Sequence, residues 1–90
     1  MAGVVLALNT LNLDSCRKDV DRFLDEVEWP VVYVEVRLLH RETGLHKDSR
    51  RWTITKNQLA DMVHAIAEYA CSDPNLAASI TVLSEMPVQN

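Results

Sequence analysis

The residues from Trp52 to Asp73, WTITKNQLADMVHAIAEYACSD, constrain the chain more than any other stretch. Leu59, Met62, Val63, Ile66, Ala67 and Ala70 recur at the three-and-four spacing of one helix face. A single apolar stripe about three turns long therefore has to be covered by another layer. Thr55 followed at the third place by Gln58 predicts a capping box, in which hydroxyl and amide each satisfy a backbone N–H left free at the helix start. Asp73-Pro74-Asn75 predicts the end, since proline cannot continue a helix.

The remaining apolar residues read mostly as strands, which makes the covering layer a sheet. Val4 to Leu8 is a short apolar run whose length and β-branched content suit a buried strand. Asp14 or Ser15 is positioned to cap a helix running to about Glu28, with Cys16, Val20, Phe23, Leu24 and Val27 on its inner stripe. Its other side is acidic, and i,i+4 pairs of Arg17 with Asp21 and Arg22 with Glu26 are expected on a solvated face. Pro30 forces an extended start, after which Val32, Val34, Val36 and Leu38 alternate with Tyr33, Glu35 and Arg37.

The following strand can be registered against this one, because Trp52 and Ile54 must share the face of the valines. A three-residue loop, Glu42-Thr43-Gly44, pairs Arg41 with Leu45, Val34 with Trp52 and Val32 with Ile54, and sets Glu35 opposite Arg51. Gly44 suits the left-handed position of such a loop. Lys47-Asp48-Ser49 is polar enough to hold a bulge that would break the register between tip and base. Ala78, Ile80 and Val82 then alternate with Ser79, Thr81 and Leu83 as a last strand, and residues 84–90 read as a C-terminal tail.

The order β-α-β-β-α-β predicts one α+β domain over residues 1–90. The specific arrangement expected is a ferredoxin-like two-layer sandwich, a four-stranded antiparallel sheet with two helices on one face. That architecture hosts unrelated activities, so function has to come from the side chains. In it the start of the first helix approaches the end of the second. The α-carbons of Cys16 and Cys71 should then come within roughly 10 Å, not necessarily at the separation a disulfide requires. Two cysteines without a C-x-x-C spacing are read as buried small hydrophobes in a cytoplasmic protein. No signal peptide or membrane span is read, and Ala2 excludes N-myristoylation.

Chemistry-bearing constellations are few. Only Gly3 and Gly44 are glycine, which removes phosphate-cradling glycine-rich loops. Asp61, His64 and Glu68 share the polar side of the second helix, where incidental neighbours on a solvated face are the simpler account than a metal or general-base site. His40 and His46 are directly opposed in the proposed register, but two ligands from one hairpin need a third from elsewhere. No catalytic residue, metal site or cofactor is assigned, and the expectation is a protein that is not an enzyme.

Charge segregation is the stronger signal. Residues 37–51 hold five of the nine lysines and arginines and only Glu42 and Asp48 as acids, a net of +3 where the rest of the chain carries −7. Arg37, His40, Arg41, His46, Lys47, Arg50 and Arg51 thus form a candidate partner-binding hairpin. Val5, Tyr33 and Leu39 would lie on the sheet face away from the helices, as a candidate self-association surface; an edge-strand dimer through Val31 to Arg37 is the alternative. The expected role is macromolecule binding by a protein–protein interaction or regulatory domain, with a protein partner and a homodimer and no membrane contact. The alternatives are a small-ligand regulatory domain, a nucleic-acid binder using the hairpin, and a compact acidic inhibitor of a nucleoprotein complex.

Overall fold

A computed structural model describes residues 3–83 of the chain, so the tail expected over 84–90 lies outside the described residues. The elements are β1 (Gly3–Leu8), α1 (Leu13–Glu26), β2 (Val31–His40), β3 (His46–Thr55), α2 (Lys56–Ser72) and β4 (Leu76–Leu83). The four strands form one antiparallel sheet in the order β1-β4-β2-β3, and the helices supply the second layer.

The α+β sandwich is thus as the sequence predicts, but the order of strands is different. A ferredoxin-like sheet would pair the first and third strands at its centre, whereas here β4 and β2 are central and β1 and β3 are the edges. The charges of β3 give the physical reason. Asp48 and Arg50 oppose Leu38 and Val36, so they point to the helix side, and a central β3 would have to bury both. Unpaired charges in a core cost several kcal/mol each, of order that of the whole domain's stability. At the edge both stay exposed. β4, with Ala77, Ala78, Ser79, Ile80, Thr81 and Val82, has no charge on either face and takes the centre instead.

Two expectations fall with this order. β2 has a neighbour on each side, so Val31 to Arg37 is not an edge available for dimerisation. β1 is not a strand buried on both faces, since Leu6 and Leu8 are buried while Val5 and Ala7 are exposed. Every residue from Gly3 to Leu8 is uncharged, so composition does not separate its two faces.

The core lies between the layers. Val20 and Phe23 of α1 and Leu59, Val63 and Ala67 of α2 close on Leu6, Leu8, Val32, Val34, Ile80 and Val82 of the sheet. Among the described residues every buried side chain is apolar or cysteine. α2 starts as expected: Thr55 accepts from the Gln58 N–H at 3.3 Å, and Gln58 Oε1 accepts from the Thr55 N–H at 3.2 Å. α1 starts earlier than Asp14, because Asn12 is the cap and its Oδ1 accepts from the Ser15 N–H at 3.0 Å. Asparagine serves as well as aspartate or serine here, because its short side-chain oxygen reaches a free backbone N–H of the first turn. The expected ion pairs on α1 are replaced by Arg22 with Asp19, and by Arg17 reaching across to Glu68 of α2 at 3.4 Å.

Candidate functional site

The helices cover one side of the sheet, which leaves the other side open. Alternation assigns to that face Val5 and Ala7 of β1, Ala77, Ser79, Thr81 and Leu83 of β4, Tyr33, Glu35, Arg37 and Leu39 of β2, and Ser49, Arg51 and Thr53 of β3. Val5 is 64% exposed, while Tyr33 and Leu39 are half-buried by their neighbours. The three proposed self-association residues therefore share this face, but they do not touch. Tyr33 and Leu39 are separated along β2 by Glu35 and Arg37, and Val5 is separated from Glu35 by Thr81.

The ionic centre of the face is Glu35. Arg51 lies directly opposite it, as the sequence register requires, and donates from Nε to Oε2; Arg37 donates from Nε to Oε1 at 2.9 Å. Burial acts to raise the Glu35 pKa, but the Arg51 hydrogen bond and the nearby Arg37 and Arg51 charges outweigh it and hold the carboxyl below its ordinary 4.5. Each arginine stays more than half exposed, whereas Glu35 retains 18%. Two cations thus share one largely covered carboxylate and leave an outward surplus of one positive charge.

The hairpin distributes its remaining charges differently from the expectation. The base register is as read, Val32 with Ile54 and Val34 with Trp52, but it shifts by one residue between Leu38 and Leu39. Lys47 is the extra residue, within the polar stretch flagged for a bulge. Beyond it Leu39 opposes His46, so His40 and His46 are not directly opposed; His40 instead receives Leu45, its N–H donating to the Leu45 carbonyl at 2.9 Å. The loop then spans Arg41 to Gly44, with Gly44 at φ 72°, the left-handed value expected of it.

Arg41 leaves the ladder because α2 claims it. Its N–H donates to the Asn75 carbonyl at 3.0 Å, and its guanidinium donates to the carbonyls of Ala70 at 2.8 Å and Asp73 at 3.4 Å. A cation at the carbonyl end of a helix is favourable both to the orphan acceptors and to the helix dipole. Arg41 thus fastens the hairpin to the helix end. His40, His46, Lys47 and Arg50 are exposed at the tip and outer edge, together with Glu42 and Asp48. The seven candidates split into three groups: Arg37 and Arg51 on the open face, Arg41 under the helix end, and the others around the rim.

One feature had no signal in the residue pattern, and a second had only a partial one. A groove of about 290 Å³ runs between α2 and the hairpin, floored by Val36 and Leu38 and walled by Trp52, Ile66 and Tyr69, with Asp48, Ser49 and Arg50 at its mouth. It forms because β3 outreaches the cover of α2 once Asp48 and Arg50 occupy the helix side. Trp52 accordingly lines the groove beside Ile66 and Tyr69 and is half-buried. The second is the covalent bond between Cys16 and Cys71, whose α-carbons are 6.9 Å apart. The approach of the two helix ends is as expected, but the thiols are not free, which removes the argument from free thiols for a reducing compartment.

Asp61, His64 and Glu68 are exposed on α2, with Glu68 turned to Arg17. Among the described residues no group of three potential ligands gathers around a metal position, and no helix is long and apolar enough to cross a membrane. Comparison with protein-family models, curated proteins and solved structures finds no match.

Proposed function

We propose that the chain is a non-enzymatic domain that works by binding another macromolecule, most simply a protein, through the open face of its sheet, and that it also self-associates. The observation that carries this reading is the uncovered face itself. Tyr33, Leu39, Leu83 and Val5 are set there among small residues around the Arg37–Glu35–Arg51 cluster. Apolar side chains around a fixed charge motif make a surface that can bury area and also orient a partner. Ion-paired arginines are already ordered, so less side-chain entropy is lost on docking.

The hairpin as a nucleic-acid grip is less well supported. Arg41 is committed to the end of α2, and Arg37 and Arg51 share Glu35. Those that remain, Lys47 and Arg50, stand near Glu42 and Asp48. A small-ligand role has one observation of its own, the apolar groove beside Trp52, whose volume is at the low end of the roughly 300 to 1,000 Å³ usual for ligand sites.

The test is retention of partners from the native source by the wild-type protein and by the Tyr33→Asp and Leu39→Asp variants. A protein held by the wild type and lost by both variants at unchanged melting temperature supports the reading. Equal retention by all three overturns the open face as the site. Binding of DNA or RNA that falls steeply with salt would support the hairpin instead.

A further inference from the structure

The groove between α2 and the hairpin lies on the helix side of the sheet, apart from the open face, and its lining divides sharply by chemistry. Floor and walls, formed by Val36, Leu38, Trp52, Ile66 and Tyr69, are apolar or aromatic, while the charges stand together at the mouth. There Asp48 and Arg50 are two residues apart on β3. Residues so spaced on a strand project to the same face, so an anion and a cation are presented side by side over one apolar slot. Neither is spent within the chain. Among the described residues no ion pair includes Asp48 or Arg50, unlike Arg37 and Arg51 on the other face. Asp48 uses Oδ1 to accept from the Ser49 N–H at 2.8 Å, and its second oxygen remains available.

We propose that this groove binds a free aromatic α-amino acid. The ring lies in the slot beside Trp52 and Tyr69, the carboxylate meets the Arg50 guanidinium, and the ammonium group meets the Asp48 carboxylate. The inference goes beyond the open-face reading and stands independently of it, since the sheet separates the two surfaces.

The charge pattern is what commits the groove to this occupant. An apolar acid would satisfy Arg50 but bring its carboxylate against Asp48, and an apolar amine would satisfy Asp48 but oppose Arg50. A zwitterion satisfies both, because its two charges sit on one carbon beside the side chain. A residue within a polypeptide has lost both charges to peptide bonds, so a segment of a protein partner would leave the mouth unmatched. Size agrees: about 290 Å³ is at the low end for ligand sites, which suits one ring with a short polar end. The walls are also tied together in advance, because Arg41 joins the hairpin to the carbonyls of Ala70 and Asp73 at the end of α2. A slot held in this way loses little freedom when it is filled.

Titration of the full chain with L-phenylalanine, followed by calorimetry and by NMR of the Trp52 indole and Ile66 methyl resonances, tests the proposal. Phenethylamine, which lacks the carboxylate, and phenylpropionate, which lacks the ammonium group, serve as the comparison ligands. L-phenylalanine should bind with a Kd below about 1 mM and shift both resonances, and each comparison ligand should bind about tenfold more weakly. Arg50→Gln should cost L-phenylalanine about tenfold in affinity without weakening phenethylamine, and Asp48→Asn should do the same without weakening phenylpropionate. Such ligand-selective losses cannot come from a failure to fold, and both sites are exposed, so the melting temperatures of the unliganded variants should be unchanged. L-phenylalanine binding no tighter than the two comparison ligands would show an apolar slot without charge recognition and overturn the assignment. Unshifted Trp52 and Ile66 resonances at about 10 mM ligand, a concentration well above any specific Kd expected here, would overturn the site itself. Either result leaves the open-face reading untouched.

Discussion

Glu35 shows how one residue can set the acid behaviour of a surface. Its carboxyl is held below 4.5 by Arg51 and Arg37 against the opposing effect of burial, so the folded state binds the proton less readily than the unfolded chain. The stability this contributes is complete above the unfolded value of about 4.3 and is lost as pH falls through the lowered folded value. Glu35→Gln should therefore be less stable than the wild type at pH 6, with the difference shrinking toward pH 3. Thermal melts across that range check it, and a gap that stays constant or widens on acidification would remove the ionic account. This pair was legible in the sequence because the face shared by Trp52, Ile54 and the valines, combined with a short hairpin loop, leaves one register for the base of the hairpin. Trp52 was legible only in part. Its face was set by parity, but its exposure depends on how far α2 reaches over β3. Full burial of tryptophan would make Trp52→Ala cost about 3 to 5 kcal/mol; half-buried beside an open groove, it should cost about 2 kcal/mol. Urea unfolding would show this as a midpoint shift at constant slope, and a loss of 4 kcal/mol or more would mean that the groove is closed in solution.

At the scale of elements, the sequence shows most clearly what depends on near neighbours. The capping box of α2, the strand start after Pro30 and the base register of the hairpin all rest on residues close in sequence or on period-two alternation. The hairpin tip does not. Its three-residue loop fails because Arg41 is drawn to carbonyls of Ala70, Asp73 and Asn75, more than twenty-five residues away, and no local pattern carries such a contact. Once Arg41 leaves the ladder, Lys47 bulges and the tip slips by one residue. Arg41→Met should then free the tip and leave helix carbonyls without a donor. Hydrogen bonds from a charged donor contribute about 1.5 to 3 kcal/mol, offset in part because Arg41 Nε is buried without an acceptor among the described residues. The expected net loss is about 1 kcal/mol, with faster amide exchange at His40 and Gly44 and unchanged exchange at Val32 and Val34. Uniform acceleration along β2 would show instead that Arg41 holds the whole sheet.

For the whole molecule, layer architecture followed from the order of elements, while strand order did not, because β1 and β4 are both short, uncharged and apolar enough for the centre. The charges of β3 contained the answer: a strand with Asp48 and Arg50 on its helix side belongs at an edge. The Cys16–Cys71 bond locks the result, since it joins the start of α1 to the end of α2 across 55 residues that include the entire hairpin. Constraining an unfolded loop of that length stabilises by about 4 kcal/mol in the chain-entropy estimate, with about 2 to 4 kcal/mol more usual in practice. For a domain this small that corresponds to a melting temperature lowered by roughly 10 to 25 °C in the Cys16→Ala, Cys71→Ala double variant. Both half-cystines are essentially fully buried, so thiol reductant should leave the folded wild type unchanged under native conditions and lower its stability only after an unfolding cycle. Equal melting of variant and wild type would show that the two helix ends meet without needing the bond. Rapid reduction of the folded protein would show that α1 and α2 separate readily in solution, and that the apolar contacts of Val20, Phe23 and Val63 do not hold the helix layer together by themselves.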